Sequence, residues 1–458
     1  MKLHDICSKF QHSIVFVIEM IMYAATLATF FLMFAIDNPE IIVMSRTAAV
    51  TLSTFAIMLV LLTFIYGKYD VGMRRWGQVA LSVSITVIIT DLITYLELSI
   101  MKTNEANNTT FRLENFGILF LVFAIQIVII CLMSYVGENF YFWINPKEKC
   151  LIVTENVDHA GRVAVALSSF EKRYETEDIV CYNDPDLEEK MVNADTIVLY
   201  ELPVEERTKI INFCYQNLKN IYFNPHIADI LEQNARSVIV DDISMFSTRF
   251  HMITFEERLV KRLMDILISL LALVITSPVF LISAICIKKE DGGSVFFKQK
   301  RATVHGKVFE ILKFRTMREN VENFSSTEGD DRITKAGRIL RKYRIDELPQ
   351  LVNIIKGEMS LVGPRPEMLE NVADYESKLP EFRYRLRMKA GLTGYAQIYG
   401  KYNTSSQDKL MLDLMYIENY SLIKDVQLLF RTILVLFKAE DSTKAFEKPG
   451  EEQDKADE

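Results

Sequence analysis

Four long apolar runs open the chain, at residues 13–36, 47–66, 77–97 and 116–135. Each is close to the roughly 20 residues a helix needs to cross a bilayer. No small-residue cleavage site follows the first run and three more come after it, so it reads as a span and not as a removable signal. From 147 to about 245 the pattern shortens. Apolar runs at 150–153, 196–200, 220–223 and 237–240 alternate with helical stretches such as 203–217. That rhythm predicts a parallel sheet covered by helices. A fifth long apolar segment follows at 263–287. Later, residues 407–438 read as helix, lying along a bilayer surface or packed on a core. The last eighteen residues are acidic, contain Pro449-Gly450 and read as a disordered tail.

Charge orients the spans. Lys2 and Lys9 precede the first, and Lys68, Arg74 and Arg75 fill the second loop, while the first and third loops hold only Arg46, Lys102 and Arg112. Positive charge favours the cytoplasmic side, which puts the N-terminus and everything from 136 onward there. Glu19 and Asp91 fall inside apolar runs and are expected to face the bundle or an interface; neither is given a role. Asn107-Asn108-Thr109-Thr110 carries overlapping glycosylation acceptor patterns and reads as a polar loop.

The fifth segment differs from a simple crossing. Ser277-Pro278 sits near its middle, where proline removes a backbone donor. Both flanks are basic: Arg258, Lys261 and Arg262 before, then Lys288, Lys289, Lys298, Lys300 and Arg301 after. Both ends therefore belong on one side of the membrane, and the segment is expected to enter and return, broken at Ser277-Pro278.

Composition adds three limits. Half the residues are hydrophobic, as suits a membrane protein. The net charge of −8 is uneven: 30 Lys and Arg face 24 Asp and Glu between 251 and 440, leaving −14 for the remainder. A basic C-terminal part suits anionic partners such as phosphates and lipid headgroups. Cys7, Cys131, Cys150, Cys181, Cys214 and Cys286 are scattered without a C-x-x-C pair, and the six histidines show no ligand spacing, so neither a disulfide framework nor a zinc site is indicated. The first turn of the middle region, TENVDHAGR, has only Gly161 where a dinucleotide site needs G-x-G-x-x-G, which favours a nucleotide-free scaffold.

Residues 341–367, RKYRIDELPQLVNIIKGEMSLVGPRPE, concentrate the chemistry. Asp346 and Glu347 are adjacent carboxylates before Pro349 and an apolar run of helical spacing that stops at Gly357. This predicts the acidic pair at a helix N-terminus, where backbone N–H groups favour an ionised carboxylate or a phosphate. Arg341 and Arg344 lie upstream, and Arg365 sits in a stiff Gly-Pro-Arg-Pro turn. Carboxylates beside guanidiniums suit metal-assisted phosphoryl transfer, although a capped surface helix with solvated charges has the same spacing. Within FEILKFRTM (309–317), Lys313 and Arg315 share one face of a strand and could bind phosphate. Asp330 and Asp331 read as part of an acidic loop, with a metal site as the lesser reading. Alternating Arg383, Arg385, Arg387 and Lys389 could contact headgroups or a nucleotide.

DELPQLVNIIKGEMSLVGPRPE resembles the signature of the bacterial sugar transferases, the monotopic polyprenyl-phosphate phosphoglycosyl transferases. FFKQKR (296–301), FEILKFRTM and KAGLTGYAQIYG (389–400) agree, so the likeness runs from about 256 to 437. The segments ahead of it resemble the long-form members. The resemblance implies four N-terminal transmembrane helices (1–140), a Rossmann-like α/β domain (147–245) that supports assembly and dimerisation, a catalytic domain (251–438) with a re-entrant helix, and the tail (441–458). It implies transfer of a sugar 1-phosphate from a UDP-sugar to polyprenyl (undecaprenyl) phosphate at the cytoplasmic membrane face. Asp346 is then the nucleophile and a Mg²⁺ contact, Glu347 orients the site or assists proton transfer, Arg341 holds phosphate, and Pro364, Arg365 and Pro366 form a nucleotide-binding loop. A homodimer and a role in exopolysaccharide, capsule or O-antigen synthesis are implied likewise. Two other classes compete: a membrane glycosyltransferase releasing UDP, and a non-catalytic sensor or assembly protein.

Overall fold

The computed structural model describes residues 10–66, 69–105, 113–248, 250, 253–318, 332–400 and 405–437. The Asn107–Thr110 stretch, Asp330, Asp331 and the acidic tail lie outside them. The chain forms two compact units, one up to Asn224 and one from Pro225 onward.

The first unit begins with α1 (Gln11–Phe34), α2 (Arg46–Tyr66), α3 (Trp76–Glu105) and α4 (Phe116–Ile144). With one helix of the second unit, these are the five among the described residues long and apolar enough to cross a membrane. Large side chains such as Leu32, Val60, Phe64, Phe120 and Val128 stay exposed on their outer faces. Phe30, Phe34, Phe55 and Tyr95 are buried between the helices, with the Phe30 and Phe34 ring centroids 4.7 Å apart. α3 outruns its apolar run because its last turns are polar, and α4 does so because the polar step Gly137-Glu138-Asn139 interrupts the pattern before a final aromatic turn; the Glu138 carboxylate accepts from the Trp76 backbone N–H and from Lys172.

The α/β part of this unit follows as β1 (Glu148–Thr154), α5 (Val157–Ser168), β2 (Tyr174–Cys181), α6 (Leu187–Asn193), β3 (Thr196–Tyr200), α7 (Val204–Gln216) and β4 (Asn220–Phe223). The four strands are parallel in the order β2-β1-β3-β4. β1 and β3 are almost wholly buried, which is why they are continuous apolar runs. β2 lies at the edge, and its sequence YETEDIVC is too polar for the same signal. Gly161 falls inside α5, whose first turn is capped by the Asn156 side chain on the Asp158 N–H.

The second unit starts with α8 (Ile227–Glu232), β5 (Arg236–Val240) and β6 (Ile243–Ser247). Residues 237–240 do not extend the parallel sheet as their spacing suggested. They pair antiparallel with β6 through the two-residue turn Asp241-Asp242, with Asp241 in the left-handed region at φ 60°. Next come α9 (Phe255–Asp291), the antiparallel hairpin β7 (Phe296–Ala302) and β8 (Val308–Phe314), and α10 (Lys335–Lys342). A 3₁₀ turn (Ile345–Glu347) leads to α11 (Gln350–Lys356) and β9 (Ser360–Val362). Then follow α12 (Leu369–Lys378), a 3₁₀ stretch (Pro380–Arg387), β10 (Gly391–Thr393) parallel to β9, α13 (Tyr395–Tyr399), α14 (Ser406–Glu418) and α15 (Leu422–Phe437). The helix expected over 407–438 is thus two, divided at 419–421.

α9 organises this unit. It is one helix of 37 residues, so the expected break at Ser277-Pro278 is not a loss of helix. Pro278 cannot donate to the Val274 carbonyl one turn back; the Ser277 hydroxyl donates to it instead, at 2.8 Å. Lys261, Asp265, Ser269, Ser283 and Ile287 are buried along one face, whereas Leu263, Leu267, Leu271, Val274, Ile275 and Leu281 are more than half exposed. The buried face pins β9: the Asp265 carboxylate accepts from the Leu361 N–H (2.9 Å) and the Ser360 hydroxyl (3.1 Å). Lys261 donates to the Val362 carbonyl and to the buried Asp425 of α15. Ile354, Met359, Val362, Phe382, Leu410 and Leu414 form the core beneath.

β9 and β10 run on into a close backbone contact. A Cβ on Gly363 would collide with the Lys389 carbonyl oxygen, and one on Gly391 with the Gly363 backbone. Gly363→Ala is therefore expected to destabilise the second unit by about 1–3 kcal/mol, read as a lower thermal midpoint of the solubilised protein.

Candidate active site

The acidic pair is delivered by three consecutive local decisions. Glu290, in the last turn of α9, accepts from the backbone N–H groups of Lys335 and Ala336, which fixes the start of α10. α10 carries Arg341 and ends at Tyr343. Arg344 then adopts the left-handed conformation, φ 52°, a conformation disfavoured for a non-glycine residue that turns the chain into the 3₁₀ turn holding Asp346 and Glu347. The pair does not cap the following helix, as its spacing suggested. Glu347, Leu348 and Val352 each bond to a carbonyl three residues back, and α11 proper begins only after Pro349, which has no N–H to give. Its expected end is observed: Gly357 takes φ 87° as the C-cap, and Arg262 of α9 donates to the Ile354 and Ile355 carbonyls there, at 2.5 and 2.6 Å.

The two carboxylates are treated unequally. Glu347 is clamped by Lys313 from β8 at 3.0 Å and Arg365 at 3.2 Å, with its side chain 15% exposed. Among the described residues, no hydrogen bond or ion pair occupies the Asp346 side chain. Electrostatics divide the pair in the same sense. Burial raises Asp346 to about 6, with Glu347 adding to the rise and Lys313, Arg341 and Arg365 opposing it. Burial also pushes Glu347 upward, but Lys313, Arg365 and Arg344 outweigh it and hold Glu347 well below the usual carboxylate range. A pair of adjacent carboxylates separated in this way offers one permanently charged anchor and one nucleophile or base that ionises near neutrality. The simple expectation that the helix terminus keeps Asp346 ionised is thus amended: its burial works against the charge.

The Pro-Arg-Pro turn is held by its backbone. The Pro364 carbonyl accepts from the Gly391 N–H (2.9 Å), that of Arg365 from Arg385 (2.6 Å), and that of Pro366 from Arg301 (3.1 Å). Three different segments thus grip three successive residues, leaving the Arg365 guanidinium to reach Glu347. Arg385 is itself paired at 2.6 Å with Asp413 of α14, both nearly fully buried. Burial raises Asp413 to about 6, against the pull of Arg385. Behind the turn, Thr303, Pro364, Arg365, Glu367, Phe382 and Arg385 are among the residues lining a small pocket open to solvent.

The structure therefore brings together Asp346, Glu347, Lys313 and Arg365, with Arg341 close enough to act on Asp346 by charge; Arg341 Nε also donates to Thr316 Oγ1 at 2.8 Å. Arg315 follows the end of β8, and its buried guanidinium packs over Gly293. The proposal that the Arg383–Lys389 run meets headgroups or nucleotide fails for Arg385, which is spent internally, and Arg387 pairs with Glu418 at 3.3 Å. That segment winds as a 3₁₀ turn of period three, so alternation along the sequence does not put its basic residues on one face. Asp413, Arg301 and Glu290 were not legible as site residues, nor was the internal role of Arg385, since their partners lie 20 or more positions away.

Comparison with known proteins locates the same region. Residues 256–439 match the bacterial sugar transferase family. The chain is 41% identical over 180 residues to the UDP-N-acetylgalactosamine-undecaprenyl-phosphate N-acetylgalactosaminephosphotransferase of Aeromonas hydrophila, over 38% of this chain and 43% of that protein. It is 40% identical over 191 residues to the exopolysaccharide production protein ExoY of Sinorhizobium fredii, covering 38% of this chain and 83% of the relative. A UDP-glucose:undecaprenyl-phosphate glucose-1-phosphate transferase of Caulobacter vibrioides is 38% identical over 190 residues, 40% of this chain and 71% of that one. The chain belongs to the bacterial sugar transferase family. Every one of the gathered residues, from Lys313 to Asp413, lies within the matched segment.

Asp413→Asn removes the counter-charge from a buried arginine. It is expected to cost about 3–5 kcal/mol of stability in the second unit and to release the Arg365 carbonyl, measured by thermal unfolding alongside activity.

Proposed function

We propose that the protein transfers a sugar 1-phosphate from a UDP-sugar to undecaprenyl phosphate at the membrane face, with Asp346 as covalent nucleophile. The observation that carries this reading is the asymmetry of the acidic pair: Glu347 is saturated by Lys313 and Arg365, while Asp346 keeps both oxygens free among cationic neighbours. A free, partly buried carboxylate beside three cations suits attack on a phosphorus atom whose oxygens those cations can neutralise. An Asp346 oxygen attacks the sugar-side phosphorus, the bond to the bridging oxygen breaks, and UMP leaves. A phosphate oxygen of the polyprenyl phosphate then attacks the same phosphorus, the acyl phosphate bond breaks, and Asp346 is regenerated. Arg365 and Arg341 hold phosphate oxygens, Lys313 shares its charge with Glu347, and Pro364 and Pro366 keep the Arg365 backbone fixed.

The open oxygens of Asp346 are hard donors of the kind Mg²⁺ accepts, since that ion keeps several waters and takes one or two protein carboxylates. Asp346 is the residue that would hold it, and the ion would neutralise the diphosphate.

The membrane supplies the acceptor. The exposed face of α9 carries side chains that each favour burial by about 1.5–3 kcal/mol, so this face belongs in lipid. Arg262 near one end and Glu290 near the other are both held by the second unit. This arrangement, with the basic flanks, supports a re-entrant helix that dips into the cytoplasmic leaflet of the inner membrane and returns. It leaves the acidic pair beside cytosolic nucleotide sugars. Exopolysaccharide, capsule or O-antigen assembly is the corresponding pathway class. A homodimer, with a Rossmann-like module supporting assembly, completes this reading and is read by light scattering.

Nucleotide release by the solubilised protein tests the reaction, across a UDP-sugar panel with Mg²⁺, with and without undecaprenyl phosphate. The names of the relatives place UDP-N-acetylgalactosamine and UDP-glucose first. UMP is expected; UDP would assign a glycosyltransferase instead. Asp346→Asn should reduce exchange of labelled UMP into UDP-sugar by at least about 10³-fold. Because the attacking carboxylate must be ionised, exchange is expected to fall by about tenfold per pH unit below the Asp346 value of about 6, and to level off above it. Chelation should abolish turnover and added Mg²⁺ restore it.

A further inference from the structure

The N-terminal bundle contains a buried pair that the transfer reaction does not use. Asp91 on α3 is fully buried and Gln126 on α4 is 1% exposed. The Gln126 amide nitrogen donates to the Thr26 carbonyl of α1 at 3.0 Å and to Asp91 Oδ1 at 3.4 Å. Both amide hydrogens are thereby used. The other two polar atoms of the pair, Asp91 Oδ2 and Gln126 Oε1, are buried acceptors without a donor. Turning the amide over does not relieve this, because its oxygen would then face the Thr26 carbonyl oxygen. Two orphan acceptors on one hydrogen-bonded pair of buried side chains are costly, and a proton on the carboxylate would turn Oδ2 into a donor for Oε1.

We propose that Asp91 and Gln126 form a proton-binding site in which a carboxylic acid and a carboxamide pair through two reciprocal hydrogen bonds. The amide N–H donates to Oδ1, and the acid O–H on Oδ2 donates to Oε1. With the Thr26 contact, the ring ties α1, α3 and α4 together at one level. Its ligand is a proton taken from water during assembly of the bundle, and no charge remains at the site.

The surroundings favour the neutral acid. Among the described residues no cation pairs with Asp91. On the neighbouring helices, Glu19 of α1 and Glu138 of α4 lie about 10 and 18 Å of helix rise from Thr26 and Gln126. Glu97 is six residues along α3, about 9 Å of helix rise away. Tyr23 accepts from Thr63, Tyr95 donates to the Glu114 carbonyl, and Cys131 lies more than a turn beyond Gln126. None supplies the positive charge that an ionised Asp91 would need.

The test uses the full chain in lipid nanodiscs. Infrared difference spectra at neutral pH between wild type and Asp91→Asn should show a protonated carboxyl C=O band lost in the variant. In Gln126→Leu the band should persist and move to higher frequency, because its acceptor is gone. Asn can form the same two-bond ring with Gln126, so Asp91→Asn should keep the wild-type thermal midpoint while Asp91→Ala lowers it. Absence of the carboxyl band, or a midpoint for Asp91→Asn as low as that of Asp91→Ala, would overturn the proposal. So would a wild-type midpoint raised by Na⁺ or K⁺ at fixed ionic strength, since that would make the pair a metal-cation site.

Discussion

Arg365 is the pivot of the second unit. Its carbonyl is held by Arg385 and its guanidinium reaches Glu347, so one residue joins the buried interior to the acidic pair. Behind it stands the buried Arg385–Asp413 pair, an arrangement whose geometry matters because an unmatched charge there has no water to turn to. In front of it, the clamp on Glu347 leaves Asp346 as the carboxylate with open oxygens. The inequality between two chemically similar neighbours therefore arises from a loop anchored on a buried ion pair.

The same unit ties its long apolar helix to the acidic pair. α9 leaves one face exposed and uses the other to pin β9 through Asp265, α11 through Arg262 and α10 through Glu290. The strand leads directly into Pro364-Arg365-Pro366 and the helix α10 into Asp346. Both halves of the site are thus referred to one helix. Ser277 allows Pro278 within it, since the hydroxyl takes over the carbonyl that proline leaves without a donor.

In the first unit, polarity is handled differently. α3 buries Ser82, Thr86, Thr90, Thr94 and Ser99, and their hydroxyls bond to carbonyls in or beside the bundle. Ser82 reaches the Tyr66 carbonyl of α2, whereas the other four bond one turn back on their own helix and need no partner helix. Asp91 and Gln126 cannot, which is why they find each other. A polar seam of this kind fixes which faces of the helices meet, where apolar surfaces alone are interchangeable.

The amino-acid sequence by itself determined the long apolar helices, the buried parallel strands β1 and β3, the Gly357 stop and the presence of Asp346, Glu347 and Arg365 in one motif. Each is encoded by residues close together in the chain, through periodicity, capping or turn chemistry. The edge strand β2, the antiparallel pairing of residues 237–240 and the division of 407–438 into two helices were not legible, because each depends on a neighbour elsewhere or on a local turn that outweighs the pattern. Which carboxylate of the pair is free was decided only by tertiary structure. Lys313, Arg365, Arg385 and Asp413 come from four segments spread over 101 positions, and the charge each presents depends on how much water folding removes from it.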